Sequence, residues 1–447
     1  MKITKISVSK LFGIFDHSIP FNQESGITII IGENGLGKTV ILESIHAFFT
    51  KNFSFFTKLE FDSFKFYFDN NEIWDVIRRH EGQHVSLFVL RWSNSKQEWT
   101  KPIKIYSSNV HETESSNEIL SLKAYQRNIA KKYFDVLDDF NDHRTNQLIA
   151  YEMNNRNAYM HHLRMDEDSI PKKFPQWLNE GIKKVEIKII ETQRIMTAKE
   201  RGGDAYVRTV QKFSNELVEK ISRLSKESAE ISVSLDSSYP NRLMQKLRQG
   251  QADNYDTLNH ALSELDARRK LFNATGLIES VSGNDVLQIN SSDLALFNPL
   301  KLYIDDSNEK LAPYDDMAEK ISLFKGILDK RFKHKSIEIN KNSGFLFRSR
   351  VQKNRNGNFE EISASKLSSG EQHELVMFYD LIFNSKKGDT ILIDEPELSL
   401  HISWQNQFIS DLKDVTSMND VSVVIATHSP DIISENWDLK VELAGVE

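Results

Sequence analysis

Ile27-Thr28-Ile29-Ile30-Ile31-Gly32-Glu33-Asn34-Gly35-Leu36-Gly37-Lys38-Thr39-Val40-Ile41-Leu42-Glu43-Ser44-Ile45-His46-Ala47-Phe48-Phe49 reads as a strand, a glycine-rich turn and a helix, in that order. The run Ile27 to Ile31 is short, apolar and β-branched, which suits a strand covered on both faces. From Gly32 the spacing is Gly-x4-Gly-Lys-Thr, the pattern of a loop that cradles phosphate. Its glycines permit backbone shapes and close approaches that a Cβ would hinder, so main-chain N–H groups can wrap anionic oxygens at a helix N-terminus. The Lys38 ammonium would reach the β- and γ-phosphates, and the Thr39 hydroxyl would face Mg²⁺. Gly32, Asn34, Gly35, Gly37, Lys38 and Thr39 are therefore candidate ATP-binding residues. A chance glycine-rich turn is the competing reading, and the elements downstream weigh against it.

Thr390 to Ile393 is a second short apolar run, followed by Asp394-Glu395-Pro396. A strand there delivers both carboxylates to the carboxyl edge of a parallel sheet, where ligands bind. Asp394 suits Mg²⁺, and Glu395 suits polarising an attacking water. An Asp-Glu pair after a strand is often only a solvated loop. Here it lies between Leu367-Ser368-Ser369-Gly370-Glu371-Gln372 and a third β-branched run, Val421 to Ala426, which ends in Thr427-His428-Ser429-Pro430. A fourth run, Val185 to Ile190, leads into Glu191-Thr192-Gln193-Arg194.

These motifs, in this order, resemble SMC-like and RecF-like ABC ATPases of the AAA_15 and AAA_21 kind, the group that includes the overcoming-lysogenization nucleases. Leu367 to His373, Asp394 to His401 and Ala426 to Pro430 are similar in wording to the ATPase subunits of bacterial anti-phage systems such as PARIS and Septu. Leu11-Phe12-Gly13-Ile14-Phe15, taken as a strand, fits the same group. The resemblance covers roughly residues 1–50, 185–200 and 336–440. It implies that Ser368, Ser369, Gly370, Glu371 and Gln372 form a signature turn that caps the γ-phosphate held by a second copy. It also implies that Gln193 touches the metal and the attacking water, and that His428 is a switch histidine reading the γ-phosphate. Glu395, His428 and Gln193 are then the catalytic candidates, and Thr39, Gln193 and Asp394 the candidate metal ligands. Ser399-Leu400-His401 departs from the aspartate that transporters carry there, which leaves the role of His401 open.

The middle of the chain has another character. Tyr206, Val210, Phe213, Leu217, Ile221 and Leu224 recur at spacings of four and three, one face of a helix. Ser237-Ser238-Tyr239-Pro240 is expected to break it, with a returning helix through Leu258, Leu262, Leu265 and Phe272, and a third through Met317, Ile321, Phe324 and Leu328. Residues 107–180 suggest a solvated helical insertion, with helices at Asn117 to Asp138 and Arg144 to Arg164. The adjacent His161 and His162 would point to different helix faces, so a metal or nuclease site there is disfavoured. Expected domains are a discontinuous ATPase, 1–200 and 336–447, and a helical or short coiled-coil insertion, 201–335.

The chain has 447 residues, no cysteine and a formal net charge of −7. No disulfide framework or thiolate metal site is available, and no global field draws the chain to nucleic acid. No apolar run approaches the ~18 residues of a membrane span. A cytoplasmic protein without membrane association is expected. One basic stretch, Lys330 to Arg355, is either a solvent face or a surface for DNA or an acidic partner. Only 19 residues follow His428, too few for the TOPRIM domain that follows the ATPase in the overcoming-lysogenization nucleases. Asp305-Asp306 and Asp315-Asp316 lie in helical or loop contexts. Any nuclease activity would thus belong to another polypeptide.

The expected fold is α/β: an ABC-type P-loop ATPase head with a mixed or parallel sheet core, interrupted by helical insertions. The expected function is an ATP- and Mg²⁺-dependent sensor or scaffold subunit of an anti-phage complex. Implied partners are a second copy, or a higher homo-oligomer, and an effector such as a TOPRIM or HNH nuclease. A phage-encoded trigger protein and DNA are further candidates. A RecF-like repair clamp that grips DNA, and a non-hydrolysing structural ATP-binding protein, are the alternatives.

Overall fold

The structure is a computed structural model that describes residues 1–82, 84–93, 98–109, 174–190, 196–198, 206–248, 255–279 and 296–445. The helices expected between Asn117 and Arg164, His161-His162 and Gln193 lie outside the described residues. The chain divides into two compact units, residues 1–192 with 385–447, and residues 193–384.

The first unit holds two sheets. A parallel sheet runs in the order Lys440–Glu442, Ile27–Ile31, Ser422–Ala426, Thr390–Asp394, Ile187–Ile190. Its three central strands are almost wholly buried, which is why they read as continuous apolar runs rather than alternating ones. Helix Lys38–Phe49 leaves the P-loop and carries Ile41, Leu42, Ile45 and Phe48 into the core. The other sheet has seven antiparallel strands between Ile3 and Asn109. There Phe64, Phe66 and Phe68 alternate inward along one strand, and Phe66 stacks on Phe48 at 4.7 Å.

Leu11 to Phe15 is not one strand. Ile3–Leu11 ends, residues 12–14 turn, and Phe15–Pro20 returns antiparallel. Phe12 (φ 56°) and Gly13 (φ 75°) are both left-handed, and the Gly13 N–H closes the turn on the Lys10 carbonyl at 2.8 Å. Extended backbone is thereby excluded at those two residues.

The second unit contains the helices Thr209–Arg248, Tyr255–Ala274, Phe297–Leu311 and Asp315–Arg331, the three-stranded sheet Lys335–Asn340, Gly344–Lys353, Phe359–Ile362, and the candidate signature helix Ser369–Phe383. The strands and the signature helix group with the helical segment because they share its core. Tyr379 stacks on Phe213 at 4.4 Å and on Phe383 at 4.8 Å, and meets Phe324 and Phe345 edge-on. The unit boundary therefore falls after Asn384 rather than near residue 336. Tyr206 belongs to a short strand, Tyr206–Arg208, and the helix starts at Thr209.

That helix does not break at Pro240; it runs 40 residues through it. A mid-helix proline removes a donor and crowds the preceding turn. Its missing N–H deprives the Asp236 carbonyl of a helical donor, while the two carbonyls before it gain side-chain donors. The Ser238 hydroxyl donates to the Ser234 carbonyl at 3.0 Å, and the Arg242 guanidinium donates to the Leu235 carbonyl at 2.8 Å and to Asp306 at 2.8 Å. Asp306 and Asp315 are taken up by Arg242 and Arg268, consistent with structural rather than catalytic acids.

Candidate nucleotide site

Parallel pairing fixes the geometry of the site in the first unit. Asp394 lies opposite Ala426, and Ala426 opposite Ile30, so the P-loop, Glu395 and His428 all emerge at one carboxyl edge. The ladder continues past the strand ends: the Thr427 N–H donates to the Ile30 carbonyl at 3.1 Å, and the Glu395 N–H to the Ala426 carbonyl at 2.8 Å. Glu395 stands in the left-handed region (φ 44°, ψ 57°), a strained shape for a long side chain and a frequent mark of functional sites.

The loop itself needs its glycines. Gly37 has φ 91°, and a Cβ there would lie 2.6 Å from Leu11 Cδ2. Gly35 has φ 95° with open space around it. Lys38 is 5% exposed and its ammonium donates to the Gly32 and Glu33 carbonyls at 2.7 and 3.0 Å. It also lies 3.4 Å from His428 Nδ1. An ammonium has only donors, so Nδ1 accepts and the proton of a neutral His428 ring resides on Nε2. Thr39 Oγ1 donates to Asp394 Oδ1 at 3.1 Å.

This donor set fits nucleotide and metal. A hydroxyl and a carboxylate side by side are hard oxygen ligands of the kind Mg²⁺ takes. An ammonium folded over the loop, with N–H groups at a helix start, answers a phosphate. Among the described residues there is no cluster of three or more His, Cys, Asp or Glu able to hold a metal. A metal here would share its coordination with substrate oxygens and water.

The candidate signature residues lie in the second unit. Ser368 caps the helix: its hydroxyl accepts from the Glu371 N–H at 3.3 Å, and the Glu371 carboxylate accepts from the Ser368 N–H at 2.7 Å. Glu371 also accepts from Lys335 at 2.6 Å, and the buried Gln372 amide donates to the Leu367 carbonyl at 2.8 Å. Glu371 and Gln372 are thus spent on the turn itself, while Ser368 is exposed and Ser369 and Gly370 half-buried. Farther along the same helix, Glu374 pairs with Arg331, both fully buried, and Arg331 covers the Phe378 ring.

Three contributors lie outside the candidate site residues read from the sequence. The buried His17 lies with Nε2 2.9 Å from the Leu36 carbonyl, bracing the P-loop from behind. Burial holds its imidazole below the usual range, against the Leu36 hydrogen bond and the charge of Asp16. Glu397 and Gln405 bind the loop that carries His428. His17 is invisible in sequence because it sits alone on a strand. His401 acts locally, its Nδ1 accepting from the Ser403 N–H at 3.2 Å to cap helix Ile402–Asn419.

The profile of the AAA ATPase domain family (AAA_15) matches residues 1–433. The chain belongs to that family. No curated protein matches this AAA ATPase domain. Among solved structures it is similar to the Pyrococcus furiosus Smc head domain with an extended coiled coil, bound to the C-terminal domain of ScpA. That match has 13% identity and a TM-score of 0.32, covering 97% of this chain and 91% of the other. It is also similar to the SMC head domain from Thermotoga maritima, with 11% identity and a TM-score of 0.33, covering 100% and 96%. The ATPase has the α/β fold of a P-loop head, with a parallel and an antiparallel sheet among the described residues and helical insertions. Among the described residues no helix is long and apolar enough to cross a membrane.

Proposed function

We propose that the ATPase binds and hydrolyses ATP as the sensor or scaffold subunit of a bacterial anti-phage complex. In this reading two copies close over two nucleotides and control a separate effector, such as a TOPRIM or HNH nuclease, with a phage-encoded protein as trigger. The observation that carries the ATP part is the convergence of Lys38, Thr39, Asp394, Glu395 and His428 at one sheet edge. The defence part rests on the wording of the motifs from Leu367 to Pro430.

Lys38 and the loop N–H groups receive the β- and γ-phosphates, and Thr39 with Asp394 holds Mg²⁺. When bound, Mg²⁺ neutralises charge developing on the phosphate oxygens. Glu395 orients and polarises the attacking water, assisted by Gln193. His428, with Nδ1 as acceptor, presents Nε2–H towards the terminal phosphate. From the second copy, Ser368, Ser369, Gly370 and the first N–H groups of the signature helix cap that phosphate. Glu371 and Gln372 shape the turn.

Glu395→Gln should bind ATP with unchanged affinity and accumulate closed dimers by light scattering; wild-type turnover by that variant would sink the assigned mechanism. Lys38→Ala should show no heat of nucleotide binding by calorimetry.

The DNA-clamp reading depends on the basic stretch. There Lys335 pairs with Glu371, Lys341 with Glu279, Arg348 with Glu338 and Arg350 with Asp329, at 2.6 to 3.0 Å. Much of its charge is met internally, which weighs against a phosphate-binding surface. ATP-stimulated, salt-dependent binding to duplex DNA would reverse that judgement.

A further inference from the structure

The carboxylate of Glu397 is shared between two groups of the loop that carries His428. Oε1 accepts from the His428 N–H at 2.8 Å, and Oε2 accepts from the Thr427 hydroxyl at 2.8 Å. Thr427 is fully buried, and its hydroxyl oxygen also accepts from the Ser429 N–H at 3.0 Å. The Ser429 hydroxyl donates to Gln405 Oε1 at 2.8 Å, and the Gln405 amide donates to the Leu400 carbonyl at 3.3 Å. Three consecutive residues, Thr427, His428 and Ser429, are therefore held by side chains that follow Asp394-Glu395.

The geometry points to Glu397 as the positioning residue of the His428 loop, with Gln405 closing the same ring from helix Ile402–Asn419. Glu397 lies two residues after Glu395, within a one-turn 3₁₀ segment, Pro396–Leu398. Any displacement of that turn moves the backbone of His428 directly, because the acceptor of its N–H travels with Glu397. A charged acceptor on a backbone N–H is among the stronger neutral-donor bonds, and a second bond to a buried hydroxyl fixes its direction. The carboxylate does not touch the reacting atoms; it acts by setting where the imidazole stands. This rests on the ATPase reading above, since His428 matters only if a terminal phosphate is read there.

Full-length chain carrying Glu397→Ala, Glu397→Gln or Thr427→Val serves as the test, with steady-state ATP turnover and amide hydrogen exchange as readouts. Glu397→Ala should lower kcat by about 10- to 100-fold, the scale of a misplaced catalytic group, with KM for ATP little changed. Glu397→Gln should recover most of the lost rate, because its carboxamide oxygen still accepts from the His428 N–H. Adding His428→Ala to Glu397→Ala should bring little further loss. Exchange of the His428 amide should quicken in Glu397→Ala and stay slow in Glu397→Gln, at unchanged melting temperature.

Unchanged exchange at His428, an unchanged kcat, or fully additive losses in the double variant would overturn the assignment. Should any alanine variant melt early, Thr427→Val decides: it leaves the Glu397 bond to the His428 N–H in place but removes the hydroxyl's bonds to Glu397 and to the Ser429 N–H, and it should lower kcat and quicken His428 amide exchange, wild-type values of both overturning the assignment. A wild-type chain that binds ATP through Lys38 but never turns it over overturns the hydrolytic reading instead, and His428 amide exchange then still decides whether Glu397 holds the loop.

Discussion

Thr39 and Asp394, 355 residues apart in sequence, meet through a 3.1 Å hydrogen bond from the threonine hydroxyl to the aspartate. That bond joins the first turn of the P-loop helix to the end of a buried strand of the parallel sheet. Asp394→Asn is expected to lower turnover about 100-fold at saturating Mg²⁺, a few kcal/mol of lost charge stabilisation. Thr39→Ser should stay within a few-fold of wild type. A Mg²⁺ titration of steady-state hydrolysis checks both, and metal-free binding of ADP should be unaffected by either change.

The two loop glycines should respond differently to a methyl group. Both have positive φ, which costs an alanine about 1 kcal/mol. Gly37→Ala also drives its Cβ to 2.6 Å from Leu11 Cδ2, so overpacking adds about 1–3 kcal/mol. Urea denaturation should rank Gly37→Ala well below Gly35→Ala; equal midpoints would contradict the packing argument.

His17 makes stability depend on pH in a definite direction. Burial lowers its folded-state pKa, so as the pH falls below about 6.5 the unfolded chain takes up the proton first. Its share of stability is therefore complete above that pH and is lost as the pH drops towards the folded-state value. Replacing it by glutamine keeps a donor for the Leu36 carbonyl and removes the titration. The gap between wild type and His17→Gln should shift against the wild type between pH ~7.5 and ~5.5 in denaturation midpoints. His17→Phe should lose about 1 kcal/mol at neutral pH through the missing bond.

Arg331 and Glu374, the latter on helix Ser369–Phe383, form a fully buried ion pair. Removing one charge strands the other, so Arg331→Met or Glu374→Leu alone should cost about 3–5 kcal/mol. The double variant should cost clearly less than the sum, since no buried charge remains. Thermal melts read by circular dichroism complete the cycle.

The sites that were legible in the sequence share a cause. Ile27 to Ile31, Thr390 to Ile393 and Val421 to Ala426 lie in the interior of one parallel sheet, so their composition alone marks them, and the motifs follow at fixed offsets from their ends. The Ser368–Glu371 capping box is likewise a local pattern. Long-range devices leave no such trace. His17 braces Leu36 across 19 residues as an isolated polar side chain, and Glu397, though inside the Asp394 to His401 wording, carries no sign in the sequence that it holds His428 across 31. Pro240 misleads because side chains around it hold the helix from a distance: Arg242, which reaches the Leu235 carbonyl, is steadied by Asp306, a helix away. Phe12-Gly13 misleads because an apolar residue occupies a left-handed turn that its type seldom enters.

Glu395 occupies backbone where asparagine or glycine would be more at ease, at a penalty of about 1 kcal/mol or more. Among the described residues the Glu395 carboxylate makes no hydrogen bond or ion pair. A chain released from selection for turnover could shed Glu395 and become slightly sturdier, with its sheet and P-loop intact. Inert variants of this protein should accordingly be easy to purify and well folded, and good behaviour in solution will say nothing about whether the machine still runs.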